Sequence, residues 1–168
     1  RHKPCGEIIA GVEKGTLEKI GILRHFADAR RLLQTAWYHR GVLQKIDVIP
    51  RPALGISRYI IDHRLARDFE QHGGTLNVHH RIRRTQSLEG TVWATGRRAA
   101  GTEWIGLKLH CLNLPLQADL EIHLGDHAYT GASRVESGRV NLCGLFKRRR
   151  EIRAPRDHLM LSYLRSCG

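Results

Sequence analysis

The chain has 168 residues, which is enough for one ordinary domain with a buried core, too few for two large domains and too many for a tiny disulfide scaffold. It is 41% hydrophobic and 26% charged, and 28 Lys and Arg against 16 Asp and Glu give a net charge of +12, which is typical of a globular, basic protein. No apolar run approaches the roughly 20 residues of a membrane span, and no apolar stretch follows Arg1–Cys5, so we expect a cytoplasmic protein without a transmembrane segment or signal peptide.

The first third of the chain predicts two short helices and then a strand. Between residues 11 and 31, apolar residues recur every three or four positions, and Gly21 interrupts them as a glycine corner between two helices. Val42–Ile49 is rich in β-branched residues, which favours a strand. Pro50 and Pro52 cannot donate to a strand ladder, so we expect the strand to end there in a loop.

A helix and two short strands are expected next. Tyr59–His72 places its apolar residues on one helical stripe and ends at Gly73-Gly74. Thr75–His79 and Thr91–Ala94 each predict a short strand. Residues 1–103 are therefore predicted to form an α/β portion, with elements of a second sheet at about 42–52.

After Glu103 the apolar pattern changes to period two, which predicts an antiparallel sheet over 104–154. The four predicted strands are Trp104–His110, Ala118–Leu124, Ala128–Val135 and Arg139–Phe146, and residues 136–138 predict a tight turn. We expect the inward face of this sheet to include Leu107, Leu109, Ile122 and Val140, with Lys108 and His110 together on the opposite face. Pro155 opens a predicted C-terminal helix over 155–168.

Composition leaves two classes of site without strong support. The four cysteines are scattered and form no CxxC pair. His79 and His80 would point to opposite faces of a strand, and neither they nor His123 with His127 belong to a motif such as HExxH, so no metal is expected. The dense basic run Lys147–Arg150 is not interleaved with aromatic residues, so no nucleic acid is expected as a partner.

Several motifs in order resemble segments of FAD-dependent oxidoreductases of the geranylgeranyl reductase, flavin halogenase and aromatic hydroxylase superfamily. The motifs are Arg1–Glu7, Leu54–Leu65, Ala94–Arg98 followed by Trp104–His110, and Gly131–Phe146, with Tyr163–Arg165 after them. The resemblance implies part of a Rossmann-type FAD domain joined to an antiparallel sheet that covers the substrate. It also implies that the dinucleotide-binding GxGxxG would precede Arg1 and a Gly-Asp motif would follow Gly168, so we expect a central section of a flavoenzyme.

The resemblance also implies site residues. Those expected at the cofactor are Arg1, Cys5, Gly6, Glu7, Arg58, Thr95, Gly96 and Arg97, with Thr95 standing where the family usually has an acidic residue. Cys5 is the candidate catalytic residue, and Lys108, His110 and Tyr129 are the candidates on the substrate side. FAD is the implied cofactor, with NAD(P)H as a possible electron donor.

The leading hypothesis is thus a fragment of a flavin-dependent reductase or monooxygenase acting on a small organic molecule, inactive when isolated. The alternative is a non-catalytic basic module that binds nucleic acid or another anionic partner. The sequence does not distinguish reductase from hydroxylase or halogenase, and it does not indicate an oligomeric state.

Overall fold

The computed structural model describes residues 4–79, 89–94, 102–155 and 158–167. They form a mixed α/β fold, as predicted, in which one sheet of seven strands is accompanied by three α-helices. The strands are β1 (Ile8–Ile9), β2 (Arg30–His39), β3 (Val42–Gly55), β4 (Trp104–Leu112), β5 (Leu120–Gly125), β6 (Ala128–Arg134) and β7 (Arg139–Lys147). The helices are α1 (Lys14–Lys19), α2 (Arg58–Gln71) and α3 (Leu159–Ser166), and 3-10 turns cover Leu23–Phe26 and Glu136–Gly138.

The sheet has the spatial order β1-β3-β2-β5-β6-β7-β4. All neighbouring strands are antiparallel except β2 and β5, which run parallel and join the two halves of the chain in one sheet. The β2–β3 hairpin turns at Arg40 and Gly41, whose φ angles of 48° and 75° are those of a tight turn that matches the twist of the strands. The turn at 136–138 is confirmed as a 3-10 turn between β6 and β7.

Strand register divides the sheet into two faces. A row here is a set of residues that pair with one another across neighbouring strands. The front face carries two such rows: one is Trp37, Ile122, Gly131, Cys143 and Lys108, and the other is Thr35, Leu120, Ser133, Asn141 and His110. The back face carries the row Ala36, Glu121, Ala132, Leu142, Leu109. Lys108 and His110 therefore share a face opposite Leu107 and Leu109, as predicted.

Two hydrophobic clusters support the fold. One lies between the back face and α3, where Phe146 packs against Met160 and Tyr163 with Leu107 and Leu109 beside them. The other joins α1, α2 and the chain between them, through Leu17, Phe26, Ile56 and Ile61. The first cluster covers one side of the sheet and leaves the front face to the N-terminal segment.

One residue of the predicted inward face is misplaced. Leu107, Leu109 and Val140 lie on the back face, but Ile122 lies on the front face, because Glu121 pairs with Ala132 in the back row. The apolar residues of β5 therefore lie on the front face of the sheet, and not on the back face with Leu107, Leu109 and Val140. A buried glutamate occupies the position that an aliphatic residue was expected to fill.

Several predicted elements agree with the structure. Helix α2 is confirmed to within one residue at each end, and Gly21 has the positive φ of 74° expected of a glycine corner. The segment after it is a 3-10 turn rather than an α-helix. No described helix is long and apolar enough to cross a membrane.

Other predicted elements are wrong. Strand β2 was not anticipated, and β3 continues through Pro50 and Pro52 to Gly55, because these prolines lie where the β2–β3 register shifts between Leu32 and Gln34. Such an irregularity tolerates a residue without an N–H. Residues 75–79 and 91–94 are not strands, since none of them pairs with a described strand and side chains such as Val78 and Val92 are exposed.

Candidate functional site

The N-terminal segment Pro4–Glu7 lies across the front face and is held there by side chains of the sheet. Asn141 donates from Nδ2 to the carbonyl of Cys5 at 3.0 Å, and Ser133 donates from Oγ to the carbonyl of Gly6 at 2.8 Å. The N–H of Ile56 donates to the carbonyl of Glu7 at 3.1 Å. The segment is therefore tethered through its own backbone, which makes it a rigid wall over the sheet.

Glu7 is the centre of a buried charged cluster. Its side chain has no exposed surface and accepts hydrogen bonds from Lys108 Nζ, from His110 Nε2 at 2.6 Å and from the N–H of Arg58 at 2.8 Å. Alternation along β4 brings Lys108 and His110 to the same face, and a φ of 57° at Glu7 turns the chain toward them. Sequence motifs 101 residues apart thus meet at one carboxylate.

The charge of this carboxylate is compensated within the cluster. Burial by itself raises the pKa of Glu7, but the hydrogen bonds from Lys108, His110 and the Arg58 N–H outweigh it and hold the pKa below its usual value. Glu7 is therefore ionised and paired, and it is poorly suited to act as a general base. Its geometry is that of a tether between the N-terminal segment and β4.

Arg58 joins the cluster only through its backbone. Its guanidinium pairs with Asp62 one turn along α2, at 2.7 Å, in an exposed ion pair. The ring of the next residue, Tyr59, lies 5.8 Å from both the Lys108 Nζ and the His110 ring centroid. The mouth of the cluster is thus aromatic, and it is not lined by the cationic group expected from Arg58.

A second buried carboxylate, Glu136, fixes the start of α2 and was not identified from the sequence. It accepts from the N–H of Ser57 at 2.7 Å and from the Arg139 guanidinium at 3.1 Å. Ser57 in turn accepts from the N–H of Ile60 at 3.4 Å as the helix cap. The cap could have been recognised from a serine before an apolar stripe, but its contact with a residue 79 positions away could not.

Beside the cluster, the front face forms an open floor. The large side chains that are substantially exposed on it include Trp104, Leu124, Tyr129 and Leu145. Between them Gly131 leaves room, because a Cβ built there would meet only one backbone oxygen, at 3.8 Å. Tyr129, a predicted substrate-side residue, therefore stands on this floor and not in the Glu7 cluster.

Unpaired polar atoms also concentrate on the front face. Within the described part of the chain, the buried side-chain atoms without a hydrogen-bond partner are Thr35 Oγ1, Trp37 Nε1, Arg139 Nε and Asn141 Oδ1, and register puts all four residues on this face. Because these atoms are buried, and Asn141 as a whole has no exposed surface, they are not contacts for a molecule bound on the outside of this face.

Two cysteines near this site have environments that suppress reactivity. Burial raises the pKa of the Cys143 thiol, and burial likewise raises that of Cys111. Cys5 Sγ accepts from the N–H of Glu7 at 3.4 Å, so the candidate catalytic thiol is part of the tethered segment.

Arg1, Thr95, Gly96 and Arg97 lie outside the described residues, and their assignments stay predictions. Among the residues described, no group of three metal-ligating side chains converges.

Comparisons with known proteins give a fold likeness but no family. No family model matches the sequence, and no curated protein matches it. One solved structure that is similar is the peptidyl tryptophan dihydroxylase QhpG, essential for tryptophylquinone cofactor biogenesis, with a TM-score of 0.59 and 15% identity. The match covers 99% of this chain and 42% of that one, so the chain spans less than half of its structural neighbour.

This result corrects the family assignment. The motifs were taken to indicate the geranylgeranyl reductase, flavin halogenase and aromatic hydroxylase superfamily, and the absence of any family match overturns that assignment. At 15% identity the likeness to QhpG shows a shared fold alone. Short motifs of common residues such as Cys-Gly-Glu were too weak to define a family.

Proposed function

We propose that the chain is the substrate-covering part of a flavin-dependent oxidoreductase of the hydroxylase type. The observation that carries the proposal is the construction of the front face, where a segment tethered by Ser133 and Asn141 adjoins an exposed floor that includes Trp104 and Tyr129. The fold likeness to QhpG, a hydroxylase by name, supports the same class. The side chains present supply no oxidant, so hydroxylation here needs a redox cofactor.

The residues on the front face fit the ring of a flavin better than its phosphates. Gly6 lets a flat ring approach the backbone of the tethered segment, because a Cβ built there would meet only the Ile8 side chain, at 3.7 Å. The nearby cations Lys108 and Arg58 are already paired with Glu7 and Asp62. Cys5 and Gly6 would hold the ring, and the flavin would supply two-electron redox chemistry when bound.

The substrate side of the proposal concerns the open floor. Tyr129, Leu145 and Trp104 present apolar surface, and Gly131 leaves space among them. A flat aromatic ring suits such a floor, and an aromatic side chain is also what QhpG acts on, according to its name. Phosphate contacts from a Rossmann-type portion, and from Arg1 and Thr95–Arg97, stay predictions.

The test is a titration of the chain with riboflavin, followed by quenching of flavin fluorescence. We expect saturable but weak binding that is lost on gel filtration, and no tighter binding of FAD. Gly6→Val, which places a branched side chain on the segment, should abolish the quenching. Gly131→Val should instead abolish binding of N-acetyltryptophanamide and leave riboflavin binding intact.

Gly125→Val is the matched control, because it makes the same change in the neighbouring strand on the back face, where a Cβ would lie 3.7 Å from its nearest neighbour. It should leave both ligands unaffected. The proposal fails if the wild-type chain shows no saturable quenching, or if Gly6→Val and Gly125→Val behave alike.

A further inference from the structure

A cavity of about 320 Å³ lies on the back face, away from the site proposed above. It is a half-open cleft between strands β5 to β7, the connection at residues 114–116 and the end of α3. Ala132, Leu142, Phe146 and Leu164 make its walls largely apolar. Its volume corresponds to about ten water-sized groups, at roughly 30 Å³ each.

The polar end of this cavity is the carboxylate of Glu121. Glu121 is 6% exposed and stands in the row of Ala36, Ala132, Leu142 and Leu109, where an aliphatic side chain would pack at lower cost. Its Oε1 accepts from the N–H of Gln117 at 2.5 Å, and its Oε2 lies 3.1 Å from His123 Nε2. A carboxylate can accept about four hydrogen bonds, so acceptor capacity is left for a ligand.

The partners of Glu121 are themselves held in place. The His123 ring stacks on Tyr38 with centroids 4.4 Å apart and an interplanar angle of 5°. Thr130, another lining residue, is buried beside them. The carboxylate thus has a fixed orientation before any ligand arrives, which lowers the entropic cost of binding.

The charges of the lining residues favour a cation. Among the lining residues Arg40 carries a permanent positive charge, and its guanidinium is bound by Asp126 at 3.0 and 2.7 Å. An anionic ligand would therefore meet the Glu121 carboxylate and no unpaired cation among these residues. A cationic ligand would instead form a charge-assisted hydrogen bond in a largely apolar surrounding.

We infer that this cavity binds an organic amine, with the ammonium group on Glu121 and an apolar body of about ten non-hydrogen atoms against Leu142, Phe146 and Leu164. The inference is independent of the proposed flavin chemistry, because the cavity and the front face lie on opposite sides of the sheet.

The experiment compares three probes that share a phenyl ring: 2-phenylethylamine, 2-phenylethanol and phenylacetate. Binding is measured by calorimetry, and the site is mapped by NMR shifts. We expect the amine to bind at least tenfold more tightly than the alcohol, to outcompete the acid and to shift the signals of Thr130, His123 and Leu164. Equal affinity for amine and alcohol, tighter binding of the acid, or shifts confined to Tyr129 and Leu145 on the front face would overturn the inference.

Glu121→Gln should remove the preference for the amine while the affinity for the alcohol stays within twofold. Glu18→Gln, which makes the same charge change on the exposed surface of α1, is the control and should have no effect. Since a substitution at a buried position can impair folding, Leu164→Trp provides a second test on a half-buried residue at the cavity wall. It should abolish binding of the amine, and retained binding would contradict the proposed location.

Discussion

Lys108→Met is the sharpest test of the tethering role assigned to the Glu7 cluster. The Lys108 side chain is 10% exposed and its partner Glu7 has no exposed side-chain surface, so the change leaves a buried carboxylate with only His110 and the Arg58 N–H. Removing one partner of a buried ion pair costs about 3–5 kcal/mol, whereas methionine preserves most of the packing of the lysine stem. We expect the free energy of unfolding to fall by about 3 kcal/mol at neutral pH.

The pH dependence of this penalty follows from the pKa of Glu7. Because that pKa is lowered in the folded chain, ionised Glu7 contributes stability that is present above the usual value of 4.5 and is lost as the pH falls through the lower folded value. Loss of Lys108 removes one of the causes that lower it. The penalty of Lys108→Met should therefore be largest at neutral pH and shrink below 4.5.

Urea unfolding followed by circular dichroism measures both effects. Lys14→Met is the matched control, since Lys14 pairs with Glu18 in an exposed contact and should cost no more than about 0.5 kcal/mol. A double-mutant cycle with Glu7→Gln should give a coupling energy of at least about 1 kcal/mol. A neutral-pH penalty equal to that of Lys14→Met, or one that grows on acidification, would refute the assignment.

Two further predictions concern the backbone and the thiols. Gly55→Ala should destabilise the chain by at least about 2 kcal/mol in the same assay, because a Cβ there would lie 2.1 Å from the carbonyl oxygen of Arg134, whereas Gly15→Ala, which meets no neighbour on α1, should be neutral or stabilising. Cys111 and Cys143 should react with iodoacetamide slowly at neutral pH and faster as the pH rises, because burial raises the pKa of both thiols. Peptide mass spectrometry measures the rate at which each thiol is labelled. Rapid labelling of Cys143 at neutral pH in the folded chain would contradict its burial.

The parts of the fold that could be predicted are those with local causes. The apolar stripe of α2, the glycine corner at Gly21 and the alternation of β4 each depend on residues a few positions apart. Alternation alone was sufficient to place Lys108 and His110 on one face. Strand β2 was missed because its apolar residues, Leu32-Leu33 and Ala36–Tyr38, fall on consecutive positions and show no period of two.

The parts that could not be predicted depend on contacts between distant segments. The sequence identified all five residues of this region as candidates: Cys5, Gly6, Glu7, Lys108 and His110. It assigned Glu7 to the cofactor side, however, and Lys108 and His110 to the substrate side. Nothing local indicates that these residues neutralise one another across 101 positions. Once they do, the cluster is better explained as a scaffold for the front face than as a set of reactive groups.

Of the three buried carboxylates described above, Glu7 and Glu121 illustrate how charge balance separates a structural role from a binding role. Glu7 receives hydrogen bonds from an ammonium, an imidazole and an N–H, so its charge and most of its acceptor capacity are used. Glu121 receives one N–H and one imidazole contact, and it faces a cavity that could hold a ligand. Burial is costly for both groups, but only at Glu121 could a cation from outside reduce that cost further. The structure thus favours a fixed tether at Glu7 and a ligand-responsive site at Glu121.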